Sequence, residues 1–174
     1  NSVEVCEMAM TLKATSGKGG GSEKAPVGNH LAVLVGVFDM GTQENTFQGQ
    51  EAKSQHRVFF VWELVTEKIT GTTKNHVIGI DLNFSLNEKA TLRKWLEART
   101  GKAIPEGSEF DIATELGQPC MLQVVDKNGY PKIAGVAAVP AAFLKSIPKP
   151  GYTPTIVELD QFIDGTEIPD WCPW

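Results

Sequence analysis

Arg57 and Phe59 lie two residues apart in a run of β-branched and aromatic residues. That spacing sets a cation and a ring on one face of a strand. A cation suits a phosphate and a ring suits an unstacked base, so the pair has the makings of a single-strand nucleic-acid platform. Each base stacked on such a ring contributes roughly 1–3 kcal/mol. Lys53 precedes the pair on the same strand, and Lys74 opens the next. Tyr130 and Lys132 follow an Asn-Gly dipeptide, which places them at a hairpin tip. Phe47, in the polar stretch 41–52, is a further candidate ring.

Other chemistries find less support. Asp39, Glu63 and Asp81 fall one per strand and form a nominal carboxylate set for a metal. Asp39 and Glu63 are expected near strand ends, where solvated charges are ordinary. His30, His56 and His76 are also one per strand and read as barrel-lining or surface residues. The chain contains no G-x-S-x-G, H-E-x-x-H or C-x-x-C pattern. The glycine-rich stretch 16–22 lacks the Walker Lys-Ser/Thr ending, and Ser22 stands where a dinucleotide loop needs its third glycine. Cys6, Cys120 and Cys172 are odd in number and far apart, which points to a reducing compartment. The chain is therefore expected to be no enzyme and to use no cofactor and no metal.

Charge is distributed unevenly. Glu158, Asp160, Asp164, Glu167 and Asp170 account for the whole formal charge of −5, and 151–174 holds no Lys or Arg. Residues 25–150 balance 13 basic against 13 acidic side chains, so binding to a polyanion must rest on local clustering. The tail, with Asp164, Glu167, Asp170, Trp171 and Trp174, reads as a docking peptide or an internal competitor for polyanions. Deleting 155–174 is then expected to tighten DNA binding at low salt. No apolar run reaches the ~20 residues of a membrane span, no signal pattern opens the chain, and residues 1–7 carry no functional weight.

The elements that must position these residues are mostly strands. Apolar runs and alternation predict strands over 30–40, 53–65, 74–84, 119–126 and 131–139. Between the third and fourth, Leu92, Trp95 and Leu96 recur at helical spacing. A helix is expected over 88–99, capped by Asn87 and stopped by Gly101, with a short second helix over 108–116 capped by Ser108. The order β-β-β-α-β-β predicts a mainly β, OB-fold-like five-stranded barrel. The expected organisation is a flexible segment 1–28, a barrel 29–142 and an extended acidic tail 143–174.

Three segments carry a resemblance. Val37-Phe38-Asp39-Met40-Gly41-Thr42-Gln43, Phe60-Val61-Trp62-Glu63-Leu64 and the run from Ser85 to Glu97 resemble OB-fold single-stranded-DNA-binding proteins of tailed phages. The likeness spans about residues 25–140. It implies a single-stranded-DNA-binding protein of phage replication or recombination, in the cytoplasm of an infected bacterium. It also implies a tail that recruits replication or recombination partners. It assigns no contact residue. The rival readings are a protein-interaction or virion-structural module, for which a homo-oligomer is expected, and an accessory nuclease built on Asp39, Glu63 and Asp81.

Overall fold

A computed structural model describes residues 23–45, 51, 53–158 and 169–173. Among these residues six strands form one sheet: β1 (Gly28–Asn45), β2 (Lys53–Lys68), β3 (Asn75–Asn83), β4 (Pro119–Lys127), β5 (Tyr130–Ala137) and β6 (Thr155–Val157). The helix α1 (Thr91–Thr100) lies between β3 and β4 in the chain. The ladder runs β3-β2-β1-β4-β5, antiparallel throughout, and β6 joins β1 in parallel. β3 and β5 contact each other, and α1 packs against both. No ladder joins β3 to β5, so the hydrogen-bonded sheet stays open.

β1 organises both faces. Its first part, Gly28–Val33, pairs with β4, and Gly36–Phe38 pairs with β6, while β2 runs alongside both. A bulge between Leu34 and Gly36 shifts the alternation by one residue. Ala32, Leu34 and Val37 therefore share the main core, while Val33, Val35 and Phe38 face the other side. The main core also takes Phe60 and Trp62 from β2, Leu92 and Leu96 from α1, and Leu122 and Ile133 from the β4–β5 hairpin. On the second face Val61, Val65 and Phe59 are covered by Ile147, Val157, Trp171 and Cys172.

Several expectations change. The sheet has a sixth strand, β6, formed by a stretch whose flanking prolines suggest an extended exit. Three residues hold it, because β4 leaves the later part of β1 unpaired and the backbone there needs a partner. The helix begins at Thr91, after Ala90, which makes no side-chain cap bond. Asn87 instead closes the preceding turn: its Oδ1 accepts from Lys89 N–H at 3.1 Å and its carbonyl from Ala90 N–H at 2.8 Å. The helix ends as expected, with Gly101 at φ 68 donating to the Glu97 carbonyl. The second helix is only a 3-10 turn, Ile112–Glu115, capped by Asp111 rather than Ser108. The Asn128-Gly129 turn forms as expected, with φ of 57 and 82.

Candidate nucleic-acid interface

The six residues singled out in the sequence do not form one patch. Arg57 pairs with Asn83 and Lys68 with Asn75 along the β2–β3 ladder. The strand between them spans roughly 35 Å, so Lys53 and Arg57 sit at one end of the sheet and Lys74 at the other. Lys53 is exposed at the far end of the β1–β2 hairpin, opposite Asn45. Phe47 lies outside the described residues.

Arg57 is engaged. Its guanidinium pairs with Asp81 and donates to Asn83 Oδ1 at 2.7 Å, both on the neighbouring strand. Its neighbours continue the pattern: His56 Nε2 lies 2.6 Å from Asp39 Oδ1, which also accepts from Gly41 N–H at 2.8 Å. Phe84, 41 % exposed, sets its ring edge-on to His56 at 5.2 Å. Arg57 and His56 at this end thus each face a local carboxylate, while Lys53 is exposed and in no ion pair among the described residues. Phe59 departs from the expected base platform. Its ring lies over Gly79, where a Cβ would overlap it, and it packs into the second core.

The other end is different. Residues 23 and 24 bridge two loops there. Glu23 Oε2 accepts from Thr70 N–H at 2.9 Å in the β2–β3 loop, and Lys24 Nζ donates to the Gly129 carbonyl at 2.6 Å in the β4–β5 turn. Lys24 also stands 4.7 Å over the Tyr130 ring, which is 65 % exposed. Lys68, Lys74, Lys127 and Lys132 lie on the strands and loops at this end, all four exposed. Among the described residues every ion pair uses an arginine or a histidine, and none uses a lysine. The carboxylates at this end are held by other donors. Glu67 meets His30, Glu23 meets His76 and Thr70, and Asp126 accepts from Gly129 N–H. Hydrogen bonding to Thr70, followed by the contact with His76, holds the Glu23 carboxyl below its usual range. Lys24 and Lys68 donate to backbone carbonyls, of Gly129 at 2.6 Å and Thr73 at 3.1 Å, while Lys74, Lys127 and Lys132 are exposed and in no ion pair among the described residues.

The C-terminal segment lies against the body. Trp171 packs on Phe38, ring centroids 6.1 Å apart, and on Tyr152 at 5.5 Å. Gly36 makes room for it, since a Cβ there would stand 3.0 Å from the indole. Glu63 anchors the approach to β6. It is fully buried, accepts from Asn75 Nδ2 at 2.6 Å, and takes Gly151 N–H at 2.7 Å and Tyr152 N–H at 3.1 Å. The expectation of a solvated Glu63 near a strand end is therefore corrected: three N–H donors satisfy it in the interior. Asp170 is exposed beside Trp171. Asp164, Glu167 and Trp174 lie outside the described residues. The docked segment does not present Trp171 as a free peptide tip.

Metal and thiol chemistry gain nothing. Among the described residues no group of three His, Cys, Asp or Glu could hold a metal. Asp39, Glu63 and Asp81 each have a different partner. Burial pushes the Cys120 thiol up to about 12, which keeps it unreactive. Among the described residues no helix is long and apolar enough to cross a membrane.

Sequence reasoning missed Lys24, because it lies in a stretch of linker composition, and Lys127, although it sits beside the Asn-Gly dipeptide that marks the turn. Nothing in the sequence signalled that Glu63 would receive a segment 88 residues downstream. No protein-family model matches the chain, and no curated protein matches it.

Proposed function

We propose that this chain binds single-stranded DNA without sequence preference, through a small OB-like barrel, in phage replication or recombination. The observation that carries the reading is the lysine end. Lys24, Lys127 and Lys132 lie around an exposed Tyr130, Lys74 lies at the same end of the sheet, and none has a carboxylate partner among the described residues. In an OB barrel the loop between the fourth and fifth strands is among the places that bind oligonucleotides, whereas the β2 face carrying Phe59 is here covered by the C-terminal segment. The strand order β3-β2-β1-β4-β5, with β3 lying against β5, supports that architecture. Tyr130 offers a base a stacking surface, and the lysines track the phosphates. A body with balanced charge makes such binding moderate and salt-sensitive. Partner recruitment by the tail falls to Asp164, Glu167, Asp170 and Trp174, since Trp171 is committed to the sheet.

The test is anisotropy of a labelled oligo(dT) of about 30 nucleotides, with a duplex of equal length as competitor. The proposal expects saturable binding that the duplex displaces poorly. Equal displacement by duplex, or no binding at low salt, contradicts it.

A second reading has one observation in its favour. Phe143 and Leu144, on the 3-10 turn Ala141–Ser146, are 53 % and 52 % exposed. Two adjacent apolar side chains in water suit a protein contact, as expected of an interaction or virion-structural module. Concentration-dependent assembly abolished by Phe143→Ser, with no DNA binding, supports that reading instead.

A further inference from the structure

A cavity of about 370 Å³ opens where the C-terminal segment meets β3 and the β2–β3 loop. Its volume falls in the range of small-ligand sites. Tyr152 and Trp171 stand 5.5 Å apart with their planes inclined at 37°, and both line it. Lys74 lines it too and forms no ion pair among the described residues. Glu23, 3.3 Å from the buried His76, and Asp170 also line it and bring two carboxylates, so an anion there has to sit on Lys74 and away from them. A flat ring, an anion and hydrogen-bonding edges are what these walls accept together. A nucleotide carries all three.

The aromatic wall is fixed in place rather than loosely draped. Glu63 holds the Tyr152 backbone, and the Tyr152 hydroxyl reaches the Asn75 carbonyl at 3.5 Å. Burial, then the nearby Glu63 charge, raises the Tyr152 pKa, so the phenol stays protonated and remains a donor. Trp171 is held by Phe38 and by the absence of a side chain at Gly36.

We infer that the C-terminal segment completes a pocket for one unstacked nucleotide, its base against Tyr152 and Trp171 and its phosphate on Lys74. The inference rests on the single-strand reading above and deepens it. The segment then contributes a wall to the binding site instead of only competing for it. This reverses the sign expected for losing Trp171: binding weakens, although an acidic neighbourhood is loosened.

The test uses the full chain and its Trp171→Ala, Trp171→Phe and Lys74→Ala variants. Binding of a labelled oligo(dT) of about 30 nucleotides is measured alongside the Trp171 indole N–H signal during titration with thymidine monophosphate. Trp171→Ala is expected to weaken oligonucleotide binding roughly tenfold, in line with the loss of one stacked base. Trp171→Phe keeps a ring and stays within about threefold, since any aromatic face can stack a base. Lys74→Ala, an exposed position that leaves the fold intact, weakens binding about threefold and lowers its salt dependence. The monophosphate shifts the indole signal. Wild-type binding retained in both Trp171→Ala and Lys74→Ala, or tightened in Trp171→Ala, overturns the pocket while leaving single-strand binding standing. If the wild type ignores oligo(dT), the single-strand reading fails. The monophosphate then decides alone: a shifted indole upholds a nucleotide pocket, and an unmoved one ends it.

Discussion

The two ends of the β2–β3 ladder both carry charged and polar groups and use them oppositely. At the β1–β2 end, Arg57 is matched to Asp81 and Asn83, and His56 to Asp39, with Lys53 exposed at the hairpin's far end. At the end where the β2–β3 loop meets the β4–β5 turn, the carboxylates are held by histidines and backbone N–H groups. The lysines there stay without carboxylate partners among the described residues. The lysines there keep donors free for an external anion, while Glu23, Glu67 and Asp126 keep their charges and turn their oxygens to other donors. Counting charges along the sequence hides this distinction.

The sharpest way to break the comparison is to remove the ring at the lysine end. Tyr130→Ala is expected to cost about 1–3 kcal/mol of single-strand affinity, read by anisotropy, with the melting temperature nearly unchanged because the ring is exposed. Next comes the anchor of the C-terminal segment. Glu63→Leu leaves the Gly151 and Tyr152 N–H groups and the Asn75 amide without their acceptor. An unmet buried donor costs about 1–3 kcal/mol, and the Asn75 amide is one. Amide hydrogen exchange should accelerate across 151–157 while β4 stays protected. Arg57→Ala should sharpen the contrast from the other side. It is expected to leave DNA affinity within about twofold and to lower stability by about 1 kcal/mol or less, since the pair with Asp81 is partly exposed. Gly129→Ala, at φ 82, should cost about 1 kcal/mol through strain in the turn that carries Tyr130. The smallest effect is acid release of residue 23. The folded Glu23 carboxyl is depressed, so its hydrogen bond from Thr70 stabilises above the ordinary glutamate range and disappears as pH falls through the lowered value. The Thr70 amide shift should follow that titration, with no global unfolding.

Strand periodicity made the five long strands and the Asn-Gly turn legible, because alternation and positive φ are written locally. The helix start was not. Asn87 has the chemistry of a cap, but it closes a separate turn, and the helix starts four residues later at Thr91. β6 was invisible for another reason: Thr155–Val157 forms a strand only because β1 has an unpaired stretch there. The candidate site was half legible. Tyr130 and Lys132 follow from the turn, and Lys74 from the strand before it. The split between the two ends depends on ladder register, and the use of Arg57 depends on Asp81 lying within its reach on the neighbouring strand, neither of which a single segment encodes. Phe59 sits on the face its parity predicts, yet that face is closed by residues from the far end of the chain.

The most direct test compares salt dependence at the two ends. Oligo(dT) affinity is measured across a salt series for the wild type, for Lys127→Ala/Lys132→Ala and for Lys53→Ala/Arg57→Ala. On a single strand, each phosphate that a variant no longer neutralises lowers the log–log slope by about 0.7. The account predicts a slope reduced by about 1.4 for the Lys127/Lys132 pair and left near wild type for the Lys53/Arg57 pair. Equal reductions at both ends, or a reduction only in the Lys53/Arg57 variant, would contradict it.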